Sequence, residues 1–212
     1  MSQTRSCFLA TAETTLKFLD RPETSRAWDE PSALPEFQVS GLVAHTLSQI
    51  TNPVVALQNP KPEQETIGLF DHFERAAWTT PDIHNEANTG IRQSSDKMAE
   101  KGYEKLFAYA EDCYNQLVTD LPHTASDATG ASPTWPHNLS LDDYLRTRIM
   151  EMVVHSDDVA QTLGIAAPTF APEAYDLTYW ILTRLAAARH GHSAVIAAMA
   201  RGERATGSIT AF

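Results

Sequence analysis

Apolar side chains recur at helical spacing along most of the chain, with polar side chains between them. A first such segment covers about residues 4–19 and ends before Pro22. A second covers residues 41–51, with Ser40 as the candidate N-cap, and ends at Asn52 because Pro53 disfavours a continued helix. No stretch alternates apolar and polar positions over a useful length, as a half-buried strand would. The pattern therefore predicts helices rather than sheets.

The same pattern continues through the rest of the chain. It predicts helices over about residues 62–78, 91–121, 140–163 and 172–191, and a short last helix over residues 193–201. Ser140 is a candidate N-cap with Asp143 three residues on, and Gly164 suits a left-handed C-terminal cap. Residues 122–139 are rich in Pro, Ser, Thr, Ala and Asp and predict the longest loop. Five or six helices with short connections predict an all-α bundle.

Length and composition narrow the class of protein. With 212 residues and 42% hydrophobic content, the chain can bury one sizeable core, so we expect one globular unit. A formal charge of -11 repels a phosphate backbone, so we expect no nucleic-acid partner. The apolar runs fall well short of the roughly 20 residues that cross a bilayer, and the N-terminus lacks a secretory apolar stretch. We therefore expect a cytoplasmic protein with no membrane partner, in which Cys7 and Cys113 stay reduced.

Glu151 and His155 lie four residues apart on the helix predicted over residues 140–163. A helix turns by about 100° per residue, so the carboxylate and the imidazole project from one face, and Asp158 continues that stripe. His45 lies in the separate helix predicted over residues 41–51. If it faces the other two across a helix interface, two histidines and one glutamate form a common ligand set for a divalent metal with an open coordination position. The sequence thus indicates His45, Glu151 and His155 as candidate metal ligands.

Each of these residues has a second interpretation that the sequence leaves open. Glu and His four residues apart also occur as a solvated pair or as a simple hydrogen bond. Asp158 could accept the second ring N–H of His155 and fix its tautomer, or it could be an ordinary surface acid. Arg148 could pair with Glu151 or with an anionic substrate, or form a surface ion pair. Four other histidines have no partner at ligand spacing, namely His72, His84, His123 and His137.

Three stretches of the chain carry a resemblance to a known family. They are residues 28–45, which end at His45; residues 148–164, which contain Glu151, His155 and Asp158; and a tail over residues 189–204. In these stretches the chain resembles the mycothiol-dependent maleylpyruvate isomerases, a family of DinB-like metalloenzymes. The resemblance implies a DinB-like four-helix bundle with additional C-terminal helices, and zinc or another divalent metal bound by His45, Glu151 and His155. It also implies that a low-molecular-weight thiol, mycothiol, loses its proton at the metal and becomes the nucleophile.

The resemblance covers most of residues 4–165. We therefore expect a DinB-like metal-binding bundle over residues 1–165 and a short C-terminal helical extension, residues 166–212, packed on it. The isomerases of this family carry a larger C-terminal domain that contributes substrate contacts. The resemblance by itself therefore does not assign maleylpyruvate as the substrate of this chain.

Three hypotheses for the function follow from these residues and this resemblance. The first is a metal-dependent isomerase or thiol transferase that uses mycothiol on a small electrophilic substrate, with Asp158 supporting His155. The second is a thiol-independent lyase, hydrolase or cyclase that uses the same metal in a biosynthetic pathway. The third is a non-catalytic helical protein that binds a ligand or a partner. A helical bundle of this size is also compatible with a homodimer.

Overall fold

The protein, in a computed structural model, is described over residues 1–79, 82–205 and 207–212. Nine α-helices lie within these ranges, so the predicted all-α class is confirmed. In chain order they are α1 Gln3–Leu19, α2 Pro22–Arg26, α3 Val39–Gln58, α4 Leu69–Arg75, α5 Glu86–Ala99, α6 Tyr103–Asp120, α7 Leu141–Leu163, α8 Pro172–His190 and α9 His192–Ala200. The same ranges contain two short 3-10 helices, Ala77–Thr79 and Gly202–Arg204, and an antiparallel strand pair, β1 Thr129–Gly130 with β2 Leu139–Ser140.

The core lies between the four long helices α1, α3, α6 and α7. α3 is central, since it contacts α5, α6 and α7, while α1 packs against α7 and α6. Leu42, Leu47 and Ile50 of α3 are fully buried in this core together with Phe8 of α1 and Leu145 of α7. Burial of apolar surface, at roughly 25 cal/mol per Å², is the main force that holds these helices side by side.

The helix that carries two of the candidate ligands, α7, is well defined at both ends. Ser140 is its N-cap, and the Ser140 hydroxyl accepts a hydrogen bond from the backbone N–H of Asp143 at 3.1 Å. Gly164 ends the helix in the left-handed conformation, with φ of 63°. Both ends of α7 therefore lie where the sequence predicts them. The bounds of α1, α8 and α9 also agree with their predicted bounds to within about two residues.

The prediction that a helix ends before Pro53 is wrong, because α3 continues through Pro53 to Gln58. A proline inside a helix removes one backbone hydrogen bond and costs about 3 kcal/mol or more. Val54 and Ala56 lie beyond it and are buried. Packing of the last turns against neighbouring elements therefore outweighs the local cost. This burial depends on distant parts of the chain and is invisible in the local sequence.

Ser40 is not the N-cap of α3, because the helix begins at Val39, after Gln38. The backbone N–H groups of Val39 and Ser40 donate to the carbonyls of Glu30 and Trp28, each at 2.9 Å. The preceding loop thus satisfies two of the donors at the start of the helix, which an N-cap side chain would otherwise help to satisfy.

The single long helix predicted over residues 91–121 is in fact two helices, α5 and α6. The chain turns at Gly102, whose φ of 85° is a conformation that glycine adopts without steric cost. The Gly102 N–H donates to the carbonyl of Ala99 at 2.9 Å and closes the turn. Both helices pack against α3, so the apolar pattern continues across the break and conceals it.

The helix predicted over residues 62–78 is reduced to α4 and a 3-10 helix, because residues 61–67 run beside the loop that precedes β2. Asn138 holds this segment in place. Its side-chain amide donates to the carbonyls of Lys61 and Gln64, and its backbone pairs with Glu65 and Ile67. Backbone groups engaged in this way cannot form helical hydrogen bonds.

The C-terminal helices reach the bundle through α8, which packs against α7, while α9 packs against α8. Phe170 and Ala174 join the main core, and Ile181 joins a second cluster with Phe73 of α4 and Met150 of α7. The division into a unit of residues 1–165 and an extension of residues 166–212 stays a prediction. Within the described ranges, no helix combines the length and apolar character needed to cross a membrane.

Candidate metal centre

α3 and α7 bring the three candidate ligands together at one point of their interface. His45 Nε2 lies 3.6 Å from Glu151 Oε2, and His155 Nε2 lies 3.1 Å from the same oxygen. One ligand atom from each residue lies within 4.8 Å of the other two, close to the spacing that a single cation requires. The two imidazole rings meet edge to face, with centroids 4.7 Å apart. Side chains from separate helices therefore converge as the sequence predicts; that they bind a metal stays a prediction.

Burial and hydrogen bonding give the three groups different charges. Burial lowers the pKa of His45 by more than its hydrogen bond with Glu151 raises it, so this imidazole is neutral, the form that binds metals. Burial by itself would raise the pKa of Glu151, but hydrogen bonds with His155 and His45 hold that pKa well below its ordinary range. Glu151 is therefore a carboxylate at neutral pH and supplies a negative charge at the centre of the site.

Asp158 holds His155 from its other side. Asp158 Oδ2 lies 2.9 Å from His155 Nδ1, so the ring donates this N–H to the carboxylate. Burial would lower the pKa of His155, but the hydrogen bonds with Asp158 and Glu151 outweigh it and raise the pKa to about 9. With Nδ1 engaged by Asp158, Nε2 is the nitrogen that faces Glu151 and His45. A carboxylate in this position commonly orients a metal-binding histidine.

Gln49 supports His45 from one turn further along α3. Its side-chain amide donates to the His45 carbonyl at 2.8 Å and to Ser48 Oγ at 3.1 Å, and lies 3.4 Å from His45 Nε2. Gln49 is buried, and its side-chain oxygen accepts a hydrogen bond from Arg148. Sequence reasoning missed Gln49, because a glutamine in an amphipathic helix carries no signal that distinguishes it from a surface residue.

Arg148 uses its guanidinium inside the site rather than in a surface ion pair. It donates to Gln49 and to Thr147 Oγ1, and its charge centre lies 5.4 Å and 5.8 Å from the ring centroids of Tyr144 and Trp135. Cation–π contacts of this kind stabilise a cation that is partly removed from water. The charge of Arg148 also contributes to the lowered pKa of Glu151. The site therefore contains a positive charge beside its carboxylate.

The candidate site is sheltered, and its three side chains keep a small exposed fraction. The side chains of His45, Glu151 and His155 are 16, 12 and 17% exposed. A groove of about 350 Å³ between α7 and α8 reaches Asp158 and is lined on its other side by Phe170 and Tyr175. The groove therefore lies next to the residue that orients His155.

A second histidine pair lies near the candidate ligands, and sequence spacing gives no sign of it. His72 Nδ1 of α4 lies 3.0 Å from His137 Nε2, in the loop before β2. Trp135 lies over the His72 ring, with centroids 4.1 Å apart, and also contacts Arg148. The two histidines are 65 residues apart, and one of them lies in irregular structure, so no periodic pattern could bring them together.

The model of one known protein family matches most of the chain. The family model for the mycothiol maleylpyruvate isomerase N-terminal domain matches residues 8–160. That range runs from α1 almost to the end of α7 and contains His45, Glu151, His155 and Asp158. Neither curated proteins nor solved structures give a significant match.

Proposed function

The chain belongs to the mycothiol maleylpyruvate isomerase N-terminal domain family, and on that premise we propose that it is a metal-dependent enzyme that uses a thiol cofactor. His45, Glu151 and His155 hold the cation, with zinc as the first candidate, and Asp158 orients His155. The thiol is mycothiol or a similar small thiol, and the substrate is a small electrophile. The convergence of the three ligand atoms is the observation that carries this proposal.

The chemistry of the donor set supports a divalent cation at this position. Neutral imidazole nitrogen and carboxylate oxygen are the donors that zinc and its neighbours prefer. Both histidines present Nε2 toward Glu151 Oε2, and a carboxylate engages the other nitrogen of His155. Three protein ligands leave a coordination position open, as in catalytic rather than structural zinc sites. The residues present therefore fit a catalytic metal.

A bound cation would stabilise a thiolate over a thiol and so supply a reactive nucleophile at neutral pH. The side chains of the protein have separate parts in this chemistry. Glu151 offsets the positive charge, Asp158 fixes the tautomer of His155, and Arg148 offers a cationic contact for an anionic substrate. The sheltered position of the site limits access of water to the reacting groups.

Two outcomes are open to the thiolate once it has added to an electrophilic carbon of the substrate. If the adduct rotates about the bond that has become single and then expels the thiol, the product is an isomer and the thiol is recovered. If the adduct takes up a proton and is released, the product is a thiol conjugate. The same site therefore serves an isomerase or a transferase.

Metal analysis tests the metal centre directly. Protein purified without chelators should contain about one equivalent of a divalent metal. His45→Ala, Glu151→Gln and His155→Ala should each reduce this content strongly, while His123→Ala, at an exposed position outside the site, should leave it unchanged. Native protein that neither contains nor takes up a stoichiometric metal contradicts the proposal and favours a non-catalytic binding protein.

Thiol dependence is tested with the metal-loaded protein. We expect turnover of electrophiles such as maleylpyruvate and related unsaturated acids only when mycothiol or another small thiol is present. Turnover that needs the metal but no thiol contradicts the thiol step and favours a lyase, hydrolase or cyclase.

A further inference from the structure

Gln49 is a buried polar side chain in direct contact with the candidate metal centre. It lies one turn after His45 on α3 and is 1% exposed. Its amide nitrogen, Nε2, lies 3.4 Å from His45 Nε2, which is the nitrogen that faces Glu151. A buried donor without an acceptor destabilises a protein, so each N–H group of this amide should have an acceptor.

Arg148 fixes the direction in which the Gln49 amide points. Arg148 Nη1 donates to Gln49 Oε1, and a guanidinium has donors only, so the amide oxygen has to face it. The amide nitrogen lies 2.8 Å from the carbonyl oxygen of His45, which can only accept. A reversed amide would place donor against donor and acceptor against acceptor. The nitrogen of Gln49 therefore faces His45, and its oxygen faces away.

The distances around Gln49 Nε2 leave one of its two N–H groups for the candidate metal centre. Nε2 lies 2.8 Å from the His45 carbonyl oxygen and 3.1 Å from Ser48 Oγ, and these two oxygens are 2.6 Å apart. A triangle with such similar sides has a much smaller angle at Nε2 than the angle between the two N–H bonds of an amide. One N–H therefore serves both oxygens, and the second is left for the remaining neighbour, His45 Nε2.

A metal at the candidate centre would free this second N–H. His45 Nε2 has a single lone pair, which cannot both bind a cation and accept a hydrogen bond from Gln49. The N–H would then need another acceptor close to the metal. The oxygen of Gln49 does not compete as a further metal ligand, because Arg148 holds it on the other side of the amide.

An anion is the acceptor that best suits this N–H. The hydrogen bond from the cationic Arg148 to Gln49 Oε1 polarises the amide and strengthens its N–H groups as donors. Hydrogen bonds to a charged acceptor are about twice as strong as those between neutral groups. A donor that is already fixed beside the place where negative charge develops stabilises that charge without reorganisation.

We propose that Gln49 donates a hydrogen bond to the thiolate at the candidate metal centre and that Arg148 positions Gln49 for this contact. The inference rests on the proposed function, since it assigns the residue that recognises the anionic sulfur. The amide keeps both of its protons, so it forms and breaks no covalent bond. Its contact favours the thiolate over the thiol, in the same direction as the cation.

Thiol binding measures the contribution of Gln49 without any turnover. Cobalt(II) replaces zinc, which has no visible spectrum, and sulfur-to-cobalt absorption reports the binding of N-acetylcysteine. Gln49→Met keeps the length of the side chain but has no N–H. It should weaken thiol binding about 10- to 100-fold, the effect of one hydrogen bond to a charged group, with cobalt affinity within about twofold of native. Gln58→Met, at an exposed position of α3, should behave as native.

Gln49→Glu separates a hydrogen-bond donor from a structural support. Glutamate keeps an oxygen for Arg148 but replaces the N–H groups with a second oxygen. A donor role predicts that this variant binds the thiol no better than Gln49→Met, while its added charge holds cobalt at least as tightly as native. A structural role predicts near-native thiol binding in Gln49→Glu, or parallel losses of cobalt and thiol in Gln49→Met. Either of these results overturns the inference.

Azide separates failure of this inference from failure of the proposed function. If native protein binds cobalt but not the thiol, the thiol step of the proposed function is wrong, and azide replaces the thiol as the anion. Gln49→Met should then weaken azide binding at least about tenfold. Equal affinities for thiol or azide in native protein and Gln49→Met overturn the role of Gln49 while the metal centre stands. Native protein that binds neither cobalt nor zinc contradicts both proposals.

Discussion

Asp158 contacts a candidate metal ligand, His155, without being a candidate ligand itself. Its carboxylate accepts the Nδ1–H of His155 and so keeps Nε2 directed at Glu151. We expect Asp158→Asn to weaken zinc binding about 10- to 100-fold, the usual effect of removing such a carboxylate. Competition with a chromophoric chelator measures this affinity.

Asp157 provides the matched control for this substitution. It precedes Asp158 on α7 and is exposed. Asp157→Asn removes the same charge but leaves the hydrogen bond to His155 intact. Because exposed charges have small effects, the zinc affinity of this variant should stay within about twofold of the native value. Equal losses in the two variants would show that net charge, and not the hydrogen bond to His155, is responsible.

The raised pKa of His155 predicts that the affinity for a metal at the candidate site depends on pH. Below a pH of about 9 the ring carries a proton on each nitrogen, and a metal at Nε2 has to displace one of them. Acid therefore weakens binding: the apparent affinity should rise up to about tenfold per pH unit from pH 7 to pH 9 and level off above. Chelator competition across this range checks the slope, and in Asp158→Asn the levelling should move to lower pH. An affinity that is flat over the range contradicts this.

The sequence predicts part of the site because part of it lies on one helix. Glu151, His155 and Asp158 are fixed relative to each other by the helical repeat alone. His45 could be selected only as a histidine on another amphipathic helix that could face the other two, and the family resemblance implied the same three ligands. His72 and His137 meet through a short helix and an irregular loop, so their contact depends on tertiary structure that no local pattern encodes.

The turn between α5 and α6 depends on a glycine conformation. Gly102 has φ of 85°, which strains any residue with a side chain, whereas Gly90 lies within α5 with open space around an added Cβ. Gly102→Ala should lower the free energy of unfolding by about 1–3 kcal/mol. Gly90→Ala should raise it by about 0.5–1 kcal/mol, because alanine is the better helix former. Urea unfolding measures both, and effects of the same sign in the two variants would contradict the assigned conformations.

Helices were predicted best where local signals and tertiary packing agree. α7 has an N-cap at Ser140 and a C-terminal glycine at Gly164, and both are local. At Pro53 the local signal is to stop, but burial of the following turn extends α3. At residues 62–78 the local signal is to form a helix, but hydrogen bonds to Asn138 hold the backbone elsewhere. At both places the helix prediction is wrong because a contact between distant parts of the chain outweighs the local preference for or against a helix.

Arg5 connects three distant parts of the fold. Its guanidinium is almost fully buried and bonds to Asp142 in α7 at 3.0 Å and to the carbonyls of Leu121, Thr124 and Ala125 at 3.2, 2.6 and 2.8 Å. Arg5→Leu leaves one carboxylate and three carbonyls without this partner. We expect a loss of about 3–5 kcal/mol in the free energy of unfolding, measured in urea.

Arg26→Leu is the control that measures the effect on stability of replacing an exposed arginine. Arg26 lies on α2 with its side chain 74% exposed and pairs only loosely with Glu23, at 3.7 Å. Arg26→Leu should change stability by no more than about 0.5 kcal/mol. A comparable loss in both variants would mean that the buried bonds of Arg5 are not the cause.

The position of the candidate ligands on α3 and α7 has a consequence for the newly made polypeptide. While the ribosome has completed α3 but not yet α7, the emerging chain offers a single imidazole, His45, from this set. A single imidazole binds a transition metal too weakly to retain it. Glu151 and His155 are added only when α7 follows, and the three donors meet only once α7 docks on α3. If these three residues bind a metal as proposed, capture of the ion should therefore follow the docking of α7 on α3, late in the synthesis of the chain.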